Sequence, residues 1–203
     1  LNMTGGSINM TGYYSPYGQG IYASTGSTST LSSATIIHCK YGVQLEAGST
    51  VNLTSCILTT NVWPVYYSGA GTLTIGGVCD FSGNTVNAFY VADSTHTGTW
   101  TLPTAAVPYY FYNNYNIANG STLTINQGNI IKFRNYTGLE VRGTLNANAG
   151  AGQNIFFTSE RDDNWGGDTN NDGTNTAPAS RDWYGVRFFN ESNDASVMRR
   201  CKL

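Results

Sequence analysis

The sequence predicts an all-β fold of the parallel β-helix class, in which short strands wind into coils that stack on one another. Three observations favour it. A glycine-led motif recurs about every 22–23 residues, and each repeat contains three short apolar runs. The chain is also rich in Gly, Asn and Ser, which are weak helix formers. Charged residues make up only 11% of the chain, against roughly 25% in ordinary soluble proteins, so hydroxyls and amides must cover much of the surface.

The repeat starts with a glycine that is followed by small β-forming residues. It reads GSTSTL, GSTVNL, GTLTI, GTWTL, GSTLTI and GTLNA, beginning at Gly26, Gly48, Gly71, Gly98, Gly120 and Gly143. The intervals between these glycines are 22, 23, 27, 22 and 23 residues. A steady interval of this length is typical of a solenoid, whose coils stack at the strand spacing of about 4.8 Å.

Each repeat is predicted to supply three short strands. In the second repeat they are 50–53, 56–59 and 65–69, in the third 72–75, 78–81 and 88–91, and in the fifth 122–125, 130–133 and 138–142. Side chains alternate between the two faces of a strand, so Leu123 and Ile125 are expected to face the interior while the neighbouring threonines face outward. The linkers between runs carry Gly, Asn and Ser, which tolerate turns.

The cysteine positions provide a check on this register. Cys56 and Cys79 both follow their repeat glycine by eight residues, whereas Cys39 follows its glycine by thirteen. We therefore expect Cys56 and Cys79 to stack on adjacent coils and to face the interior. They form either a ladder of small apolar side chains or a disulfide, although neighbours in register on parallel strands rarely offer the dihedral angle that a disulfide needs.

Length and charge set the remaining limits. We interpret residues 1–203 as a single β-helix domain, a fragment of a longer chain, because no initiator Met and no signal peptide are present. The net charge is −2 without a basic run, which argues against nucleic-acid binding. The sequence contains no run of about 18 apolar residues, so it predicts no membrane span.

The segments LTINQGNIIKF, GLEVRGTLNA, IFFTSERDD, GGDTNNDG and RDWYGVRF lie between Gly120 and Phe189. This stretch resembles the right-handed parallel β-helix repeats of secreted bacterial surface proteins in the pectin-lyase-like superfamily. The resemblance implies a right-handed coil, an extracellular or cell-surface location and a structural or adhesive role. It also implies a polysaccharide or a cell-surface glycan as the partner, and further domains on the same longer chain.

A long polar loop at about 160–182 interrupts the repeat. Within it Asp168, Asn170 and Asp172 occupy every second position before Gly173, as in the first half of an EF-hand-like calcium loop. Carboxylate and amide oxygens are the ligands that calcium prefers, so we expect a calcium ion that pins this loop. The alternative is a loop without metal that its own Asx turns hold together.

The predicted calcium loop is incomplete, because Ala179 stands where an EF-hand would carry a bidentate Glu. A further ligand would have to come from Asp163, from Asp162, from Asp182 or from water. We take Asp163 as the fourth metal-binding residue beside Asp168, Asn170 and Asp172.

A polysaccharide lyase or glycoside hydrolase is the alternative function that the resemblance implies. The basic residues nearest the matching segments are Lys132, Arg134, Arg142 and Arg187. Because no carboxylates recur beside them on adjacent coils, we interpret each as a solvated surface charge. We assign no catalytic residue to this chain.

The aromatic segment at 107–116, VPYYFYNNYN, is the strongest candidate for a weak ligand-binding surface. In an extended strand Tyr110 and Tyr112 lie on one face, and Tyr109 and Phe111 lie on the other. If the first pair is exposed, its rings are suited to stacking on sugars. The alternative is that these aromatic rings pack in the interior or cover the end of a coil.

Overall fold

The structure is a computed structural model that describes residues 1–10 and 18–203. The regular structure in these residues is β-strand without helix, and the stacked parallel strands form a β-solenoid of about six turns. The predicted all-β solenoid class is therefore confirmed. The described chain divides into two compact units, Leu1–Tyr90 and Val91–Leu203, and the interpretation as a single domain stays a prediction.

The first unit consists of three parallel sheets. Its strands are β1 (Asn2–Thr4), β2 (Ser7–Asn9), β3 (Gln19–Ala23), β4 (Thr28–Ser32), β5 (Thr35–Ile37), β6 (Tyr41–Leu45), β7 (Thr50–Thr54), β8 (Ile57–Thr59), β9 (Trp63–Tyr67) and β10 (Thr72–Gly76). The sheet orders are β1-β4-β7-β10, β2-β5-β8 and β3-β6-β9. The coils that start with β1, β4 and β7 thus each contribute one strand to each sheet, as the sequence predicts.

The register of the first unit follows the repeat. Thr28 pairs with Thr50, and Thr50 pairs with Thr72, so equivalent positions lie 22 residues apart. Leu31 and Leu53 alternate with these threonines and are fully buried. Stacked apolar side chains therefore form the core inside the coils, while the hydroxyls face outward.

The predicted strand at 78–81 is wrong. Only an isolated bridge between Ile57 and Asp80 occurs there, and Val78 is 89% exposed. Pairing stops at this bridge because the Asp80 carboxylate accepts a hydrogen bond from the Ser82 backbone N–H at 2.8 Å, an Asx turn that competes with strand pairing. A left-handed residue before the run is not the reason, since Ser33 and Ser55 also have positive φ and precede the regular strands β5 and β8.

A ladder of buried asparagines closes one corner of the first unit. The Asn61 side chain accepts a hydrogen bond from the Cys39 backbone N–H at 2.9 Å and donates one to the Ile36 carbonyl at 3.0 Å. The Asn61 backbone N–H donates in turn to the Asn84 side chain at 2.9 Å. The side chains thus satisfy backbone groups that the turn between strands leaves without a partner.

The cysteine register is confirmed. The Cys56 backbone N–H donates to the Cys79 sulfur at 3.4 Å, so these residues lie on adjacent coils. Cys56 is fully buried and Cys79 is half-buried. Cys39 lies at the asparagine corner instead, and all of these thiols are free.

The second unit repeats the same plan. Its strands are β12 (Thr95–His96), β13 (Thr99–Leu102), β14 (Tyr109–Phe111), β15 (Tyr115–Ile117), β16 (Thr122–Ile125), β17 (Ile130–Phe133), β18 (Leu139–Val141), β19 (Thr144–Asn148), β20 (Ile155–Ser159), β21 (Val186–Phe188), β22 (Val197–Arg199) and β23 (Cys201–Lys202), while β11 (Phe89–Val91) contains the division between the units. Its sheets are β12-β15-β18-β21, β13-β16-β19-β22 and β14-β17-β20-β23. Leu123 and Ile125 are buried, as their alternation predicts.

Candidate functional site

The acidic loop joins β20 to β21 and covers the outer face of the sheet that contains β14, β17 and β20. The Tyr110 hydroxyl of β14 donates to the Glu160 carboxylate at 2.5 Å. The Lys132 ammonium of β17 donates to the backbone carbonyl of Gly167 in the middle of the loop. Neighbouring strands therefore anchor the loop at two points.

Within the loop, the predicted metal-binding residues form a tight turn. The Asp168 carboxylate accepts hydrogen bonds from the backbone N–H groups of Asp172, at 3.3 Å, and Gly173, at 2.8 Å. Gly173 has a φ of +71°, which is the left-handed conformation that a glycine adopts without strain. The DxNxDG pattern thus folds into the turn that its spacing predicts.

A side-chain network adds to this turn. The Asn170 amide donates to Asp172 at 2.9 Å and to the Thr176 hydroxyl at 3.0 Å, and the Thr176 hydroxyl donates to Asp172 at 2.5 Å. These contacts are the hydrogen bonds that a self-supporting Asx-turn loop requires. They engage only one oxygen of Asp172, however, and only the nitrogen of the Asn170 amide.

Three oxygen atoms of the predicted metal-binding residues are sheltered from solvent and have no hydrogen-bond partner among the described residues. They are Oδ1 of Asp163, Oδ1 of Asn170 and Oδ1 of Asp172. Sheltered acceptors without a partner are rare in folded proteins, and an ion or a water molecule is a common explanation for them. Within the described residues, no group of three His, Cys, Asp or Glu side chains converges as a metal site.

The three acidic residues that the sequence offers as a further ligand are not equivalent. Asp162 accepts a hydrogen bond from the Thr158 hydroxyl at 2.7 Å. Asp182 forms a salt bridge with Arg161 at 2.9 Å and also accepts hydrogen bonds from Ser159 and Ala179.

Asp163 differs from both because its Oδ1 is left without a hydrogen-bond partner. Burial, and after it the nearby Asp168, raises the pKa of the Asp163 carboxyl, while Lys132 partly offsets this rise. The structure thus distinguishes Asp163 from the other two residues as the carboxylate with a sheltered oxygen that has no hydrogen-bond partner.

Lys132 is fully buried, so its interpretation as a solvated charge is wrong. Burial lowers the pKa of its ammonium to about 8, although the carboxylates of Asp163, Asp162, Asp168 and Glu160 act in the opposite direction. The signal in the sequence was the position of a lysine inside the apolar run IIKF. Its burial depends on a loop that lies some 30 residues further along the chain.

The aromatic surface predicted at Tyr110 and Tyr112 is only partly present. Tyr110 is 5% exposed because the acidic loop covers it, so the expectation of an exposed ring is wrong for this residue. Tyr112 is half-buried, and the Arg134 guanidinium lies 4.1 Å from its ring centroid. All of β14 is therefore buried, and Tyr112, directly after it, is half-buried.

The remaining candidate bases are engaged in contacts. Glu140 forms salt bridges with Arg187 at 2.6 Å and with Arg142 at 3.4 Å, and Arg142 also pairs with Glu191 at 3.5 Å. The Arg142 guanidinium lies 3.7 Å from the Phe189 ring centroid. These arginines are thus part of a partly exposed charge network on the outer side of β18 and β21.

Comparisons with known protein families, with curated proteins and with solved structures find no match to this chain. The solenoid class therefore rests on the strand pairing, and the resemblance to pectin-lyase-like repeats stays a prediction. Among the described residues there is no helix with the length and apolar character needed to cross a membrane.

Proposed function

We propose that the chain is a structural and adhesive β-solenoid module of a secreted or bacterial cell-surface protein, with an acidic loop that calcium pins in place. The observation that carries the calcium assignment is the set of sheltered oxygens on Asp163, Asn170 and Asp172 that lack a partner. Calcium takes carboxylate and amide oxygens of this kind and tolerates irregular geometry.

The balance of charge around the loop supports a bound cation. Four carboxylates lie near the Lys132 ammonium, which supplies a single positive charge. The pKa of Asp163 is raised, which indicates that burial and neighbouring negative charge disfavour its ionised form. A divalent cation beside Asp163, Asp168 and Asp172 would neutralise this excess and hold the loop against the sheet.

The composition supports the adhesive role. With 11% charged residues the module presents mainly hydroxyls and amides, groups that hydrogen-bond to the hydroxyls of a polysaccharide or a cell-surface glycan. Extracellular calcium-binding modules work with dissociation constants of about 10⁻⁴–10⁻³ M, and an incomplete ligand set fits this weak range.

The alternative is a polysaccharide lyase or hydrolase. Lys132 is fully buried under the loop, and Arg142 and Arg187 are held in salt bridges. Since a catalytic base must reach its substrate, these residues do not favour the enzymatic alternative.

Calorimetric titration of calcium into metal-stripped protein tests the proposal. We expect a dissociation constant of about 10⁻⁴–10⁻³ M and a gain of about 1.4 kcal/mol in the free energy of unfolding when calcium is at ten times this constant. Asp168→Asn/Asp172→Asn should abolish both effects. Asp80→Asn/Asp194→Asn removes the same charge from exposed positions and should preserve them.

A uronate-release assay on acidic polysaccharides, with calcium present, separates the two functions. Calcium binding without product supports the structural module. Product release that disappears in Asp168→Asn/Asp172→Asn would replace this proposal with a lyase. If the wild-type protein binds no calcium, the loop is held by its own Asx turns and the calcium assignment is wrong.

A further inference from the structure

A groove of about 420 Å³ opens on the outer side of the second unit, beside the sheet that contains β13, β16 and β19. Six of its seven lining residues are neutral and polar, the seventh is an isoleucine, and among the described residues no charged side chain lines it. The lining residues are Thr104, Thr124, Ile125, Asn126, Gln127, Asn146 and Asn148. Its volume lies in the range of small-molecule sites, about 300–1,000 Å³.

The floor of the groove is a regular grid of outward side chains. Thr124 of β16 pairs with Asn146 of β19. Two residues further along each of these segments, the next outward positions are Asn126 and Asn148. Neighbours across the coils are about 4.8 Å apart, and neighbours along one strand are about 6.6 Å apart. At these two spacings, neighbouring floor side chains are close enough for one pyranose ring to reach several of them with its hydroxyl groups.

One wall of the groove is fixed by hydrogen bonds to the backbone. The Thr104 hydroxyl donates to the Gln127 carbonyl at 2.8 Å, and the Gly150 backbone N–H donates to the Gln127 side-chain oxygen at 2.9 Å. This second bond leaves the Gln127 side-chain N–H groups as donors toward the groove. The wall is therefore ordered before any ligand arrives, which lowers the entropy cost of binding.

The floor, in contrast, keeps its hydrogen-bonding capacity for a ligand. In the part of the chain that the structure describes, the side chains of Asn126, Asn146 and Asn148 make no hydrogen bond to protein. Each amide offers two donors and one acceptor oxygen, a combination that matches the paired hydroxyls of a sugar.

From this lining we infer that the groove binds a neutral saccharide, as one unit of a longer polysaccharide. An acidic sugar or a phosphate would find no cation among the residues that line the groove; Arg199 lies outside this lining, in register with Asn148 on the next strand. A lipid or an apolar ligand would find only Ile125, which is 1% exposed. The inference rests on the proposed adhesive function and gives it a site and a class of ligand.

The variant Asn146→Ala/Asn148→Ala removes two floor amides. The matched control is Asn52→Ala/Thr54→Ala in the first unit, which changes outward positions of β7 in the equivalent repeat motif. Affinity electrophoresis through gels with xyloglucan, galactomannan, mixed-linkage β-glucan or polygalacturonate measures the dissociation constant of each protein. Thermal unfolding of the same samples verifies that both variants fold.

We expect the wild-type protein and the control to bind at least one neutral polysaccharide, and the floor variant to bind it about tenfold more weakly because two hydrogen bonds are lost. Equal binding by all three proteins would contradict the groove as the binding site while leaving the adhesive function in place. Binding of polygalacturonate alone would also overturn it. If none of the polysaccharides retards the wild-type protein, both the groove as a saccharide site and the glycan-binding part of the proposed function are wrong.

Discussion

At the scale of single residues, the docking of the acidic loop depends on Lys132. Its ammonium is fully buried, donates to the Gly167 carbonyl and lies near four carboxylates. The net attraction between a buried cation and its carboxylates is small, because both lose water on burial. Removing the cation is costly, because the carboxylates then have no compensating positive charge.

Replacing Lys132 with methionine should lower the free energy of unfolding by about 1–3 kcal/mol, because the variant loses the hydrogen bond to Gly167 and leaves a cluster of largely half-buried carboxylates without its positive charge. It should also increase cleavage within residues 160–185 by a protease, since the loop loses one anchor. Urea unfolding and limited proteolysis measure the two effects. Lys40→Met, at a half-exposed lysine of the first unit, is the control. Equal losses in both variants would contradict the account.

His96 makes the second unit sensitive to acid. The ring is 2% exposed, its Nε2–H donates to the Thr122 carbonyl at 3.2 Å, and its Nδ1 is buried without a hydrogen-bond partner. Burial lowers the pKa of His96, while the Thr122 hydrogen bond and Asp93 partly oppose the shift. Protonation of Nδ1 would place a charge where the described structure offers it no acceptor.

Because the folded pKa is below the unfolded value of about 6.5, the unfolded state takes up the proton first as the pH falls. The stability is therefore complete above about pH 6.5, decreases as the pH falls from there to the folded pKa, and then levels off. Urea unfolding between about pH 7.5 and 5.5 measures the decrease. His96→Gln should remove it and His38→Gln should retain it. The same decrease in His96→Gln would show that another group is responsible.

Residue by residue, the sequence predicts what depends on local periodicity. The D-x-N-x-D-G spacing identifies the turn from Asp168 to Gly173, and alternation places Leu123 and Ile125 in the core, because both patterns depend on neighbours in the chain. It fails for Lys132 and Tyr110, which face outward from their strands. Their burial comes from a loop that returns from a distant part of the sequence, and no local pattern records that contact.

At the scale of elements, the turns add hydrogen bonds of their own to those between the strands. The Asn61 side chain satisfies the backbone groups of Cys39 and Ile36. Asn61→Leu keeps the shape but removes both hydrogen bonds, so the free energy of unfolding should fall by about 2–4 kcal/mol. Urea unfolding measures the loss, and Asn52→Leu at a half-exposed strand position should stay within about 0.5 kcal/mol of the wild type. Similar losses at the two sites would mean that the corner hydrogen bonds do not stabilise the fold.

Strand prediction succeeds where the repeat is regular and fails where a side-chain turn interrupts it. The runs at 122–125 and 130–133 correspond to β16 and β17 without any shift. The run at 78–81 contains Asp80, whose carboxylate accepts the Ser82 backbone N–H, and it forms only an isolated bridge. A local turn held by a side chain thus outweighs the apolar pattern when the two conflict.

At the scale of the whole molecule, the coil is the unit that can be removed. Thr28, Thr50 and Thr72 occupy equivalent positions, so deletion of residues 50–71 takes out one coil and joins Ser49 to Thr72 in register. Repeat proteins tolerate such deletions because each repeat contacts mainly its neighbours.

The variant that lacks residues 50–71 should keep a β-type circular dichroism spectrum and a cooperative thermal transition, at a lower midpoint temperature. Deletion of residues 50–60 alone removes half a coil and shifts the later strands out of register. This second variant should fail to fold or should aggregate. If both deletions behaved alike, the coil would not be the structural unit that the register indicates.

The central claim for the molecule as a whole is that calcium pins the acidic loop to the solenoid. Hydrogen exchange of residues 160–185, read by mass spectrometry with calcium and with a chelator, tests it most directly. The account predicts that calcium slows exchange in this loop of the wild-type protein, leaves β16 unchanged, and has no effect on the loop of Asp168→Asn/Asp172→Asn. Exchange in the wild-type loop that is the same with calcium and with the chelator would contradict it.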